Sequence, residues 1–348
     1  MKGLQPRIIL HVGLHKTGTT YLQKRVFTQF DKSSVVYNPE KLRKSIRELY
    51  GLKLKTELLS KYQEIVKSEI IKIDKEILFL SHEIYSGTPW TNYDDIEIMT
   101  DFLSQAFPTA EIILVFREHA DWLESLYRES AKDGNLVSMN RFLNYKRGCF
   151  SSRSLTPYKN VNALDFQYDL IENLFHRKFH KIHLLFFEEL RDKPENFFAK
   201  LEQITKSKLR LVKQVKENRS YSALTIKILL FIAHIPLLRL MFISNQNSLL
   251  NSFMLLTKKY DQSVGSLNLA LKTGKFITIP IVLFRRVLLK MGFGIEEKSL
   301  RKKRTMRLRR FVDKFEKYIY YDWTMMSKKK QELIRKHYKN DYFFVRNM

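Results

Sequence analysis

Cysteine is nearly missing from this chain of 348 residues: Cys149 stands alone, which excludes a disulfide framework and any zinc site built on paired thiolates. It lies in a polar stretch, Arg147-Gly148-Cys149-Phe150-Ser151, with no base beside it, and reads as incidental. Acidic residues are scarce against basic ones, 36 to 62, for a net charge of +26. Such a field attracts polyanions of every kind and chooses among none of them. Long apolar runs are also lacking. Residues 223–243 are broken by Lys227, His234, Pro236 and Arg239, and residues 276–291 by Pro280, Arg285, Arg286 and Lys290. A membrane span needs about 20 predominantly apolar residues in a row. These segments therefore read as helices packed on a sheet, with a basic apolar hairpin resting on an anionic membrane surface as the alternative. The densest positive run, SLRKKRTMRLRR over 299–310, is accompanied by no nucleic-acid module, so specific nucleic-acid recognition is not expected. The opening MKGLQP enters the first strand at once, and neither a signal peptide nor an N-terminal anchor is expected.

What the chain does have is a hydrophobic content of 44%, enough for one large or two modest cores, and one dense motif near its start. In RIILHVGLHKTGTTYLQ, residues 7–23, an apolar strand over 8–12 runs into a loop bounded by Gly13 and Gly18. A helix then opens at Thr19-Thr20. Such a loop gathers free backbone N–H groups around one concavity, the helix N-terminus adds partial positive charge, and Lys16 adds a full one. Phosphate-like groups are the usual occupants of such a seat. The nucleotide-binding pattern G-x-x-x-x-G-K-[ST] is met only in part. Gly13 and Gly18 have its separation and Thr20 its hydroxyl position, but Thr19 stands where the lysine belongs, and the lysine has moved into the loop as Lys16. From there it would reach the terminal phosphates of a nucleoside triphosphate from the wrong side, which points to another phosphorylated donor.

Two further apolar runs end in polar residues. EILFLSHE over 76–83 reads as a strand buried on both faces of a parallel sheet, which puts Ser81, His82 and Glu83 at the carboxyl end where ligands bind. Glu83, or His82, is placed to act as general base; Glu83 could equally cap the next helix or pair with a lysine. AEIILVF over 110–116 is followed by Arg117 and, eight positions later, by Ser125. A guanidinium forks onto phosphate oxygens, and a hydroxyl two helical turns on can donate from the same side.

HKTGTT over 15–20 resembles the 5′-phosphosulfate-binding loop of the sulfotransferases that use 3′-phosphoadenosine 5′-phosphosulfate (PAPS). Arg117 with Ser125 resembles that family's clasp on the 3′-phosphate, although the family often has a proline where this chain has His119. The resemblance covers about two-thirds of the chain and continues through the run KIHLLFF over 181–187 with the Glu188-Glu189-Leu190 turn, Asn218-Arg219-Ser220, and the closing helix with Tyr342 and Phe343. It implies an α/β fold with a mostly parallel central sheet flanked by helices, additional C-terminal helices, and a bacterial, cytoplasmic enzyme, with peripheral contact at the inner face of the membrane left open. His15, Lys16, Thr17, Gly18, Thr19, Thr20, Arg117 and Ser125 would bind PAPS. Lys16 would be catalytic together with Glu83 or His82, and no metal would be required. The acceptor would be a hydroxyl or an amine, on a glycan or on a small molecule or lipid. A kinase of a small metabolite using Mg·ATP, and a non-catalytic basic protein that binds polyanion or membrane, remain the alternatives, although no acidic strand end is paired with a lysine–hydroxyl of the kind that holds Mg²⁺ in nucleotide-binding loops.

The remaining expectations concern organisation. Residues 1–220 form the PAPS-binding core, 221–310 a basic apolar helical insertion or cap, and 311–348 a closing helix that completes the single domain. Strands are expected over 8–12, 35–37, 77–81, 111–116 and 182–187. Helices are expected over 21–30, over 42–73 as one long element without function, over 166–176 and to about residue 204. Lys146, Arg147 and Arg153 lie in a basic stretch that reads an acidic acceptor or is simply solvated. His176, His180 and His183 straddle a helix–strand junction and are not expected to bind metal.

Overall fold

The computed structural model describes residues 5–52, 54–151, 160–212, 221–234 and 324–341. Its strands are β1 (Arg7–His11), β2 (Val35–Tyr37), β3 (Ile77–Ser81), β4 (Glu111–Phe116), β5 (Tyr145–Lys146), β6 (Cys149–Phe150) and β7 (Lys181–Phe186). Five of them make one sheet in the order β2-β3-β1-β4-β7, and every pair in it is parallel. β5 and β6 form a separate antiparallel hairpin, closed by Arg147 and Gly148, both at positive φ. Parallel strands need long crossovers, and the helices in those crossovers cover both faces of the sheet. That is why the central strands are continuous apolar runs: Ile9, Leu10, Leu78, Phe79, Leu80 and all of Ile112 to Phe116 are fully buried. On one face Phe27 and Phe30 pack against Phe79 with ring centroids 4.7 and 4.8 Å away, and Ile113, Val115, Phe197 and Phe198 complete the cluster.

The connection from β1 leads to β2 at one edge, whereas that from β4 leads to β7 at the other. Where connections part in opposite directions, the loops leave a crevice beyond the carboxyl ends of the strands. Here the crevice lies between β1 and β4.

The opposite end of the sheet is tied by charge. Glu111 opens β4 and receives Arg7 Nε at 2.5 Å and Nη2 at 2.6 Å from β1, with His183 Nε2 at 2.8 Å and Lys181 Nζ at 3.1 Å from β7. Burial pushes the Glu111 carboxyl up, but the bonds from Arg7, His183 and Lys181 outweigh it and bring it from 4.5 down to about 2. A depressed carboxyl contributes stability that is fully present above its unfolded value and is lost as pH falls toward the folded one. Glu111→Gln is therefore expected to destabilise the protein at pH 7 by about 1–2 kcal/mol, solvent screening at this sheet end keeping the figure low. Urea unfolding should show the gap closing between pH 4.5 and about 2; equal stability at pH 7 would contradict the assignment.

Several helices differ from expectation. The expected helix over 42–73 is two, α2 (Glu40–Gly51) and α3 (Thr56–Ile70), separated at Leu54, which is buried at φ 50. The helix expected over 21–30 is a short α-turn, α1 (Thr19–Tyr21), then a widened π-type turn (Leu22–Val26) and a 3₁₀ turn (Phe27–Gln29). This winding still buries Leu22, Val26 and Phe27 together. The helix after β4 runs His119–Lys132, and further helices run Tyr168–His176 and Lys328–His337.

The chain divides into two compact units. One comprises 1–129, 139–220 and 325–348 and contains every strand named above; the other comprises 130–138 and 221–324, with a described helix at Ala223–His234 in which Ile226 and Leu229 are buried. Among the described residues no helix is long and apolar enough to cross a membrane. Arg153, residues 218–220, 235–243, 276–291 and 299–310, and Tyr342 and Phe343 lie outside the described residues.

Candidate active site

The loop after β1 is shaped by three left-handed residues, Gly13 (φ 27), Lys16 (φ 66) and Gly18 (φ 88). A Cβ on Gly13 would lie 2.9 Å from the His11 ring, closer than real contacts allow, and a tight 3.1 Å from Thr19 Oγ1, so the position accepts only glycine without rearrangement. Lys16 is a non-glycine residue in the same region, a conformation that costs on the order of 1–2 kcal/mol and persists where its surroundings enforce it. Those surroundings grip the loop by its carbonyls. Thr17 Oγ1 donates to Leu14 O at 2.6 Å, Trp122 Nε1 to His15 O at 2.7 Å, and Arg117 Nη1 to Lys16 O at 3.1 Å. With the carbonyls held, the N–H groups of Lys16, Thr17 and Gly18 make no hydrogen bond to any described residue.

Unspent polar atoms surround this loop. His11 Nε2, His15 Nδ1, Thr19 Oγ1 and Arg117 Nε are buried with no hydrogen-bond partner. His11 lies beneath Gly13 with Nδ1 2.7 Å from Ser81 Oγ, and burial lowers its pKa from 6.5 to about 3. Burial likewise pulls His15 down to about 4; Glu83 opposes this, while His82 and Lys16 reinforce it. Both imidazoles are thus neutral at pH 7, and His15 sits in the electrostatic reach of His82, Glu83 and Lys16.

Lys16 Nζ is 3.2 Å from Glu129 Oε2. Glu129 is on the helix His119–Lys132, at the spacing that puts it on one face with Trp122 and Ser125. Trp122 and Glu129 both touch the loop, and Ser125 lies between them on that face. Arg117 ends β4 with its guanidinium carbon 4.4 Å above the Phe187 ring, and its carbonyl accepts from the Tyr168 hydroxyl at 2.6 Å. Burial lowers its pKa, against Asp121 and Glu188, but a guanidinium remains charged at pH 7.

At the end of β3, His82 N donates to His11 O at 3.3 Å, and Ser86 Oγ lies 3.5 Å from Gly13 O. These bonds bring the turn Glu83–Ser86 beside the loop. His82 Nδ1 accepts from Ile84 N at 3.2 Å and stands 3.7 Å from Glu83 Oε2, whose side chain is 37% exposed.

No protein-family model matches this chain, and no curated protein matches it. Among solved structures, the crystal structure of a sulfotransferase from Alicyclobacillus acidocaldarius is similar over 66% of this chain and 92% of its own, with 15% identity and a TM-score of 0.41. At that level it shows no chemistry for this chain.

The residues expected at the site therefore fall into two adjoining groups. His15, Lys16, Thr17, Gly18, Thr19 and Thr20 form the loop, joined to Arg117 directly and to the face bearing Ser125 through Trp122 and Glu129; His82 and Glu83 flank it at β3. The Thr17 hydroxyl is spent on Leu14 and only its amide is free. Sequence reasoning missed His11, Trp122 and Glu129. The i, i+3, i+7 spacing of 122, 125 and 129 was the available signal for the last two; nothing local marks His11. Glu188 accepts from Glu118 N at 2.9 Å, a scaffold role. Of the three histidines considered for metal, His176 meets Glu172 at 3.3 Å and His183 meets Glu111, carboxylate partners the sequence did not reveal. Among the described residues no group of three or more His, Cys, Asp or Glu side chains is placed to hold a metal ion.

Proposed function

We propose that this protein is a sulfotransferase that moves a sulfuryl group from PAPS to a hydroxyl of an acceptor, a glycan in the first instance. The observation that carries the reading is the bond from Arg117 Nη1 to Lys16 O. It couples, at one crevice, a loop of unspent N–H groups bearing an ammonium with a guanidinium whose Nε is still unpartnered. One loop and one remote cation suit a ligand with two separated anionic groups.

The unspent donors around the loop, the amides of Lys16, Thr17 and Gly18 with Thr19 Oγ1, fit a phosphosulfate. When bound, PAPS supplies the sulfuryl group. The amides of Lys16, Thr17 and Gly18, with Thr19 Oγ1, hold the 5′-phosphosulfate, and Arg117 with Ser125 holds the 3′-phosphate. Lys16 exchanges Glu129 for the charge that grows on the leaving phosphate.

The acceptor proton goes to Glu83 rather than to His82. With Nδ1 of His82 accepting from Ile84 N, the neutral ring carries its proton on Nε2 and has no lone pair to offer. Glu83→Gln is expected to lower kcat by about 10²–10⁴-fold. His82→Asn, which keeps a side-chain oxygen for the cap, should hold kcat within about tenfold of wild type. The opposite ranking would make His82 the base. The function itself is tested by incubating the protein with [³⁵S]PAPS and glycan, lipid and small hydroxylated acceptors. Label in an acceptor, dependent on Lys16, supports it; label in none, with phosphate transfer from Mg·ATP instead, overturns it.

A further inference from the structure

The helix α2, read from sequence as empty of function, carries a pair of arginines on the flank that meets the segment following β3. Three observations orient it. At its start, the Asn38 side chain clasps the end of β3, with Nδ2 donating to Ser81 O at 3.1 Å and Oδ1 accepting from Ser81 N at 2.8 Å. Near its end, the Tyr50 hydroxyl donates to Asp95 Oδ2 at 2.8 Å, and Asp95 Oδ1 accepts from Thr88 N at 3.0 Å. Arg43, Arg47 and Tyr50 follow i, i+4, i+7 spacing and so share one flank, beside the buried Leu42, Ile46 and Leu49. The flank that meets Asp95 is therefore the flank of the arginines, and it runs along the segment that contains His82 and Glu83.

Both guanidiniums are exposed and neither has a carboxylate partner among the described residues, unlike Lys41 and Lys44 of the same helix, which stand 3.9 Å from Glu69 and Glu48. Their field reaches the site: after burial and the opposing Glu83, Arg47 and Arg43 are what lower the His82 pKa. Two unpaired forks one helical turn apart, beside a proton acceptor, suit an anionic substituent on the molecule whose hydroxyl is presented there.

We propose that Arg43 and Arg47 are specificity-determining residues that bind a carboxylate or sulfate carried by the acceptor, and that the acceptor is accordingly an acidic glycan. This rests on the sulfotransferase reading, because it takes Glu83 to mark the acceptor side of the crevice.

The test is calorimetric titration of the protein, with and without PAP (the desulfated donor product), by a glucuronate-containing hexasaccharide and by its carboxyl-reduced counterpart. The acidic sugar is expected to bind roughly tenfold or more tighter than the neutral one. Arg43→Gln with Arg47→Gln should abolish that preference, and Lys41→Gln with Lys44→Gln, which removes equal charge from the other flank, should keep it. Equal binding of the two sugars, binding of neither, a preference that survives in the arginine variant, or an equal loss in both variants would overturn the proposal. PAP titrated alone keeps the two readings apart: wild type that fails to bind PAP contradicts the donor assignment, while the sugar preference still decides the role of the arginines.

Discussion

Alanine at position 16 is expected to lower kcat for sulfuryl transfer by about 10²–10³-fold, with a smaller change in the KM for PAPS. The Lys16 ammonium is carried by the loop itself, and in the free protein it is held by Glu129 at 3.2 Å. An ammonium that leaves a carboxylate for a phosphate whose charge grows toward the transition state stabilises that state more than the ground state. Loss of fold is not a competing explanation. The pair is part-exposed, at 18% and 24% of the two side chains, and such pairs contribute only about 0–1 kcal/mol. Glu129→Gln supplies the complementary readout. It frees the ammonium in the unliganded protein and should leave PAP binding unchanged or tighter. Wild-type turnover in Lys16→Ala would remove Lys16 from the mechanism.

Arg117→Ala is expected to weaken PAP binding by about 10²-fold, the scale of a charge-assisted, forked contact. Because Arg117 also ties Lys16 O and stacks on Phe187, weakened binding alone could come from a loosened loop. Comparing PAP with adenosine 5′-phosphate separates the causes, since only PAP carries the 3′-phosphate. Wild type should prefer PAP strongly, and the variant should bind the two alike. Arg117→Lys, which keeps charge without the fork, should fall between. An unchanged preference for PAP in Arg117→Ala would place the 3′-phosphate elsewhere.

What the sequence made legible depended on how local the signal was. β2, β3 and β4 match the expected strands residue for residue, because each is an apolar run stopped by polar or turn-forming neighbours. β1 and β7 begin and end one residue earlier than read, starting at Arg7 and Lys181 and stopping at His11 and Phe186. Arg7 and Lys181 are polar residues whose place in a strand is secured by Glu111 on β4, a partner no local pattern reveals. The break between α2 and α3 escaped notice because Leu54 stays buried through its left-handed turn, so the apolar periodicity runs on unbroken.

The candidate site divides in the same way. The loop residues 13–20 were visible because they are contiguous, and Arg117 and Ser125 because they follow one strand at a fixed spacing. The contacts that assemble them join residues more than a hundred positions apart: Arg117 to Lys16, Trp122 to His15 and Glu129 to Lys16. His11 sits inside the apolar run Ile8-Ile9-Leu10-His11-Val12 and looked like any strand residue. Arg43 and Arg47 looked like a solvated face, since only the bonds of Asn38 to Ser81 and of Tyr50 to Asp95 lay that face along the segment following β3.

The central claim is that the crevice between β1 and β4 holds PAPS, and calorimetric titration with PAP, beside ADP with Mg²⁺, tests it most directly. The account predicts micromolar binding of PAP to the wild-type protein and no comparable binding of ADP. Absence of PAP binding, or a preference for Mg·ADP, would contradict it.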